Sequence, residues 1–138
     1  MQSQLNPYLS FRDTARQAME FYHTVFGGKL EMQTFKDFHA STDKSEDHKI
    51  MHSVLTADNG IVFMASDTPS GMEYRAGTNM SMSLSGDNEA ELRGYYDKLS
   101  VGGTITMPLE KAPWGDTFGM VIDQFGVQWL VNISEPKP

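Results

Sequence analysis

The chain has 138 residues, is 39% hydrophobic and 21% charged, and carries a formal net charge of −7. That length and composition suit a chain able to bury a core without cross-links, and they exclude wholesale disorder. The absence of a basic run works against binding a phosphate backbone, and with no cysteine and no apolar stretch near the roughly 18 residues that span a bilayer, the sequence excludes a disulfide frame, a thiolate nucleophile, a Cys-ligated zinc and a membrane-spanning helix.

Residues 1–8 have neither a basic nor an apolar signal region, so the expectation is a cytoplasmic protein whose partners are neither nucleic acid nor membrane. The first element is strand-like, Asn6 to Phe11, with Asn6, Tyr8 and Ser10 on one parity and Pro7, Leu9 and Phe11 on the other. A helix follows from a capping Asp13 or Thr14, its apolar stripe formed by Ala15, Ala18, Met19, Tyr22, Val25 and Phe26, and Gly27-Gly28 ends it. Lys29 to Phe35 reads as a strand. The polar insert His39 to His48 reads as a solvated loop, Lys49 to Ala57 as a strand, and Asn59-Gly60 as a turn into a strand beginning at Ile61.

A Gly/Pro-bearing loop, Asp67 to Thr78, leads to a second set of the same elements. Asn79 to Leu84 is a strand that splits Asn79, Ser81 and Ser83 from Met80, Met82 and Leu84, which places these methionines toward a helix. Asn88 and Glu91 form a capping-box-like pair ahead of a helix striped by Leu92, Tyr96 and Leu99, and Gly102-Gly103 ends it. Strands Thr104 to Leu109 and Thr117 to Asp123 flank the loop that carries Trp114, and Phe125-Gly126 turns into the last strand, 66 residues after its counterpart at Asn59-Gly60. The chain is therefore an α+β protein of two tandem βαβββ modules, about residues 4–67 and 78–134, read together as one domain over residues 1–138. In the last strands Ile61, Phe63 and Ala65, or Val127, Trp129, Val131 and Ile133, form an apolar face. Val62, Met64 and Ser66, or Gln128, Leu130 and Asn132, form a mixed face suited to a wet concave surface.

The segments 6–11 (NPYLSF), 18–22 (AMEFY), 26–30 (FGGKL), 114–119 (WGDTFG) and 123–129 (DQFGVQW) resemble the signatures of PhnB-like proteins of the glyoxalase/bleomycin-resistance, or vicinal oxygen chelate, superfamily. The resemblance implies that the paired modules form a curved, cup-like mixed sheet with helices on the outer face, often in a homodimer. It also implies a choice among glyoxalases, ring-cleaving dioxygenases, epimerases and resistance proteins. Metal-dependent members place His or Glu on the first and last strands of each module; here those places hold Asn6, Met64, Asn79 or Ser81, and Leu130. An amide is a weak ligand for a divalent metal and leucine supplies no lone pair, so no metal or other cofactor is expected and no residue is assigned a metal-binding or catalytic role.

His39 and His48 belong to the polar loop and His23 to the surface of the first helix, whereas His52 lies in a strand apolar on both faces, so parity leaves its direction open. Trp114, on a loop, suits a lid over the cup, or else packing at a dimer seam or against the sheet edge. Asp67 and Asp116 are candidate acids at the cup mouth, although lone loop carboxylates are more often solvated or turn-forming. Both Gly-Gly pairs close helices, so no Gly-rich turn opens one to seat a phosphate or a nucleotide-like methyl donor. The sequence thus points to a metal-independent binder of a hydrophobic or aromatic small molecule, held by Asn6, Tyr8, Ser10, His52, Met64, Asn79, Ser81, Trp114, Gln128 and Leu130. The alternative is a divalent-metal-dependent lyase, isomerase or dioxygenase of the glyoxalase type, with substituted ligands.

Overall fold

A computed structural model describes residues 3–39 and 43–135, and the chain divides into two compact units at Ala76/Gly77. Each unit has the order strand, helix, strand, strand, strand. Unit one contains β1 (Tyr8–Phe11), α1 (Ala15–Phe26), β2 (Lys29–Thr34), β3 (Ile50–Thr56) and β4 (Val62–Asp67). Unit two contains β5 (Met82–Gly86), α2 (Glu89–Leu99), β6 (Thr104–Lys111), β7 (Thr117–Ile122) and β8 (Gln128–Ile133). The sheets are mixed and open, in the orders β1-β4-β3-β2 and β5-β8-β7-β6, and in each the first strand runs parallel to the last while the remaining pairs are antiparallel. No helix among the described residues is long and apolar enough to cross a membrane.

In unit one the expected helical stripe is the core. Ala15, Ala18, Met19, Tyr22, Val25 and Phe26 are all buried, and Tyr22 and Phe26 meet the Phe63 ring edge-on with centroids 5.5 and 5.8 Å away. Burying side chains of this size contributes about 1.5–3 kcal/mol each. Along β4, Phe63, Ala65 and Asp67 are buried while Val62, Met64 and Ser66 stay half-exposed, so the period-2 split follows the sequence. The cap of α1 departs from it. Thr14 makes no side-chain cap bond; instead the Ala15 N–H donates to Asp67 Oδ1 at 2.9 Å, from across the sheet. Asp13 takes a left-handed φ of 69° and pairs with Lys49 Nζ at 2.8 Å.

Unit two repeats the scheme with a different core device. Leu92, Tyr96 and Leu99 of α2 are buried, and Asn88 caps the helix as expected, its Oδ1 accepting from the Glu91 N–H at 3.1 Å. Trp129, 1% exposed, occupies the place that Phe63 holds in unit one. Its indole N–H donates to Asp123 Oδ2 at 2.8 Å, while Asp123 Oδ1 accepts from the N–H groups of Phe125 and Val127, which ties the β7–β8 turn. The corresponding residue in unit one is Ala57, which suffices there because a phenyl ring needs no acceptor. Trp129→Phe should cost about 2–4 kcal/mol in a urea titration followed by circular dichroism, because it shrinks a packed side chain and takes the indole donor away from a buried carboxylate. A loss under about 0.5 kcal/mol would mean that the Asp123 bond contributes nothing net.

Two sequence expectations fail at strand starts. β5 begins at Met82, paired with Trp129, so Asn79, Met80 and Ser81 precede the strand and Met80 is 80% exposed instead of facing the helix. Alternation continues in the sequence beyond the last partner available to it. β1 likewise starts at Tyr8, with Asn6 before it, although the Pro7 carbonyl already accepts from the Met64 N–H at 3.0 Å. The edge strand β6 reaches Lys111, two residues past expectation, and its register shifts on either side of Met107. It includes Pro108, which only an edge strand or bulge admits, since proline has no N–H to give to a ladder.

Candidate functional site

Each sheet has one face under its helix and one open face, and strand register decides which side chains share the open one. In unit one Tyr8 stands beside Met64, and Met64 beside Val54; Ser10 stands beside Ser66, and His52 faces Gln33. Tyr8 and His52 approach with ring centroids 6.0 Å apart and planes inclined at 33°. Tyr8, Ser10, His52 and Met64 therefore gather on one surface. His52 takes this side because the register shifts between Gln33 and Thr34, so that Ile50 and Ser53 are both buried and the simple alternation breaks. Asn6, half-buried, lies two residues before the strand.

In unit two the open face carries Ser83, Leu130, Met120 and Met107 in one row and Ser85, Asn132, Phe118 and Glu110 in the next. The Ser81 hydroxyl donates to Gln128 Oε1 at 3.2 Å, joining two of the expected site residues, while Asn79 is exposed ahead of them. Trp114 is 63% exposed and meets the Phe118 ring edge-on at 5.8 Å, which leaves most of its indole open to solvent. Asp116 is turn-forming: it accepts from Asn132 Nδ2 at 3.0 Å and from the Glu135 N–H at 3.2 Å, and these bonds hold its carboxyl below the ordinary range.

The positions that the family resemblance assigns to metal ligands do not fit a divalent ion. Met64 offers a thioether, Leu130 nothing, and Asn6, Asn79 and Ser81 lie on chain that precedes the strands. Within either unit, no three His, Asp or Glu side chains among the described residues gather as ligands.

Unit one also holds a hollow of about 530 Å3 that no local sequence signal marks, beyond the C-terminal ends of β1 and β4, with a lining that includes Ser10, Phe35, Glu46, Asp67, Ser70 and Met72. Glu46, read from sequence as part of a solvated loop, is only 3% exposed. It sits in a short 3-10 turn, Lys44–Glu46, which Asp43 starts by accepting from the Ser45 N–H at 2.9 Å. The spacing of Asp43 and Ser45 is a turn signal legible in the sequence; the burial of Glu46 is not, because its partner Ser70 is 24 residues away. Asp67 reaches the same hollow, but both its oxygens are committed, Oδ1 to the Ala15 N–H and Oδ2 to the Ile50 N–H, each at 2.9 Å.

A family model described as the Glyoxalase/Bleomycin resistance protein/Dioxygenase superfamily matches residues 4–131. The chain is 27% identical over 145 residues to Protein YjdN of Escherichia coli K12, covering 97% of each sequence. Among solved structures it is similar to protein PA1353 from Pseudomonas aeruginosa, with 36% identity and a TM-score of 0.84 over 98% of this chain and 100% of that one. A PhnB protein from Bacillus cereus shares the fold at 24% identity, with a TM-score of 0.74 over 96% and 100% of the two chains.

Proposed function

Because the chain belongs to the glyoxalase/bleomycin resistance protein/dioxygenase superfamily, we propose that it binds a hydrophobic or aromatic small molecule without a metal ion, sequestering it as a resistance protein does. The observation that carries this reading is the donor chemistry of the open faces. Met64 and Leu130 stand where a carboxylate or imidazole would be needed, and both are suited to apolar contact. Around Met64, the Tyr8 and His52 rings add flat surface on which an aromatic body can lie, and the Ser10 hydroxyl can orient a polar substituent. In unit two Ser81, just ahead of β5, and Gln128, two residues before Leu130 on β8, form a polar pair. Asn6, Asn79 and Trp114 remain assigned to ligand contact, Trp114 because its exposed indole is free to cover a bound molecule. The same reading has the protein working in the cytoplasm as a homodimer.

The test is metal analysis of tag-free protein by plasma mass spectrometry, paired with thermal melts before and after chelation and in the presence of indole. Fewer than about 0.1 ions per chain, an unmoved melt on chelation and a rise of a few degrees with saturating indole are expected, since a ligand that binds only the folded state stabilises it. A near-stoichiometric ion whose removal lowers the melting temperature would overturn the reading in favour of a metal-dependent lyase, isomerase or dioxygenase.

A further inference from the structure

We propose that the hollow in unit one is a subsite for a protonated amine, with the Glu46 carboxylate as its counter-ion. This rests on the small-molecule reading above and adds the charge and chemical class of the ligand. Glu46 is buried, and its two oxygens are treated very differently. Oε1 accepts from both the backbone N–H and the hydroxyl of Ser70, whereas Oε2, shielded from solvent, has no hydrogen-bond partner among the described residues. The Ser70 bonds favour the ionised carboxyl and hold its pKa below the ordinary value, so near neutral pH the group is an anion with one oxygen unserved. A buried carboxylate oxygen without a donor is among the more costly features a folded protein can keep, and a cationic N–H donor satisfies both its charge and its lone pairs.

The surroundings leave that role open. Asp43 and Asp67 also line the hollow, and among the described residues no Lys, Arg or His does. Lys49, whose charge is felt at Glu46, has its ammonium 2.8 Å from Asp13. The Arg12 guanidinium is drawn to the Met72 carbonyl and over the Tyr74 ring. The hollow is thus negative, with apolar walls supplied by Phe35, Met51 and Met72. A divalent ion would need several hard oxygens in one shell, which these carboxylates do not provide. An ammonium needs about three acceptors; the hydroxyls of Ser10 and Thr68 belong to the same lining, and a turn of the Glu46 side chain that brings Oε2 to the wall of the hollow supplies the third. The body of the amine would lie against Phe35 and the two methionines, and a hollow of about 530 Å3 is ample for a bicyclic ring with a short side chain.

Calorimetry on the wild-type protein with tryptamine, its neutral alcohol analogue tryptophol, and indole-3-acetate tests the assignment. Tryptamine should bind about tenfold or more tightly than tryptophol, with indole-3-acetate weakest, and Glu46→Gln should erase the difference while Asp116→Asn, in unit two, preserves it. Equal binding of tryptamine and tryptophol would overturn the amine subsite yet leave the small-molecule reading standing; binding of none of the three would overturn both. Competition of tryptamine by millimolar Mn2+ or Ca2+, with the ion raising the melting temperature by itself, would replace the amine with a metal. The wild-type comparison decides the matter even if Glu46→Gln does not fold.

Discussion

Replacing Asp67 with alanine is expected to remove about 2–6 kcal/mol of stability, since two buried N–H groups would lose their acceptor at about 1–3 kcal/mol each. Ala15 and Ile50, the residues whose N–H groups it serves, are both 0% exposed, so water cannot readily replace the carboxylate. The effect joins elements far apart in sequence, because one side chain at the end of β4 caps α1 and anchors the start of β3. Asp67→Asn should lose less, about 1–3 kcal/mol, because one N–H keeps an oxygen while the other meets an amide NH2. Ser66→Ala, next along the strand but on the open face, serves as the control and should stay within about 0.5 kcal/mol of wild type. Urea titrations of the three variants check this. An Asp67→Ala protein within about 1 kcal/mol of wild type would show that the bonds to Ala15 and Ile50 contribute little net stability.

Gly28→Ala is expected to be as damaging, for a steric reason. A Cβ at Gly28 would lie 2.1 Å from the Thr56 carbonyl oxygen and 2.6 Å from the Ala57 Cα, both main-chain atoms that cannot swing aside, and the residue holds φ +82°. A loss of about 3 kcal/mol or more follows. Its neighbour Gly27 separates strain from clash: φ +70° with ψ −157° is backbone that nearly excludes a side chain, but the nearest atom to an added Cβ is Asp58 Oδ2 at 3.9 Å, so Gly27→Ala should cost about 1–3 kcal/mol. Gly103 isolates the other half of the problem. There the added Cβ would lie 2.3 Å from the Ile122 carbonyl oxygen. Its backbone does not need the left-handed region, so the loss in Gly103→Ala would report clash alone. Guanidinium melts of the three variants should rank Gly27→Ala mildest; the reverse order would show that the chain relieves these contacts by shifting.

These variants also mark where the sequence was readable and where it was not. The repeat, both helical stripes and the split between Phe63 and Met64 or Trp129 and Leu130 follow from side-chain periodicity, which is local and needs no knowledge of the partner strand. The Asn88 cap was legible for the same reason, since acceptor and donor lie three residues apart. Interactions that close over long separations were not. Asp67 caps a helix 52 residues earlier, and Glu46 is buried by a serine 24 residues later, so each looked like an ordinary loop carboxylate. Strand starts failed at Asn6 and Asn79 because alternation says what a strand would bury, not where its neighbour stops. His52 was ambiguous until the register shift opposite it was known. The site candidates split by unit, Asn6, Tyr8, Ser10, His52 and Met64 in one and Asn79, Ser81, Trp114, Gln128 and Leu130 in the other.

The parallel pairing of first and last strands sets an order of events during synthesis. β2, β3 and β4 form a meander whose neighbours are close in sequence and can pair as they emerge from the ribosome, whereas Tyr8–Phe11 must wait for Val62–Asp67. Closing that long loop is the most entropically demanding step in the unit. Until it is made, β4 has an unpaired edge available to another nascent chain. Unit two faces the same delay between Met82–Gly86 and Gln128–Ile133, so each half of the protein passes through its own aggregation-prone interval, one after the other, as the ribosome reads along the message.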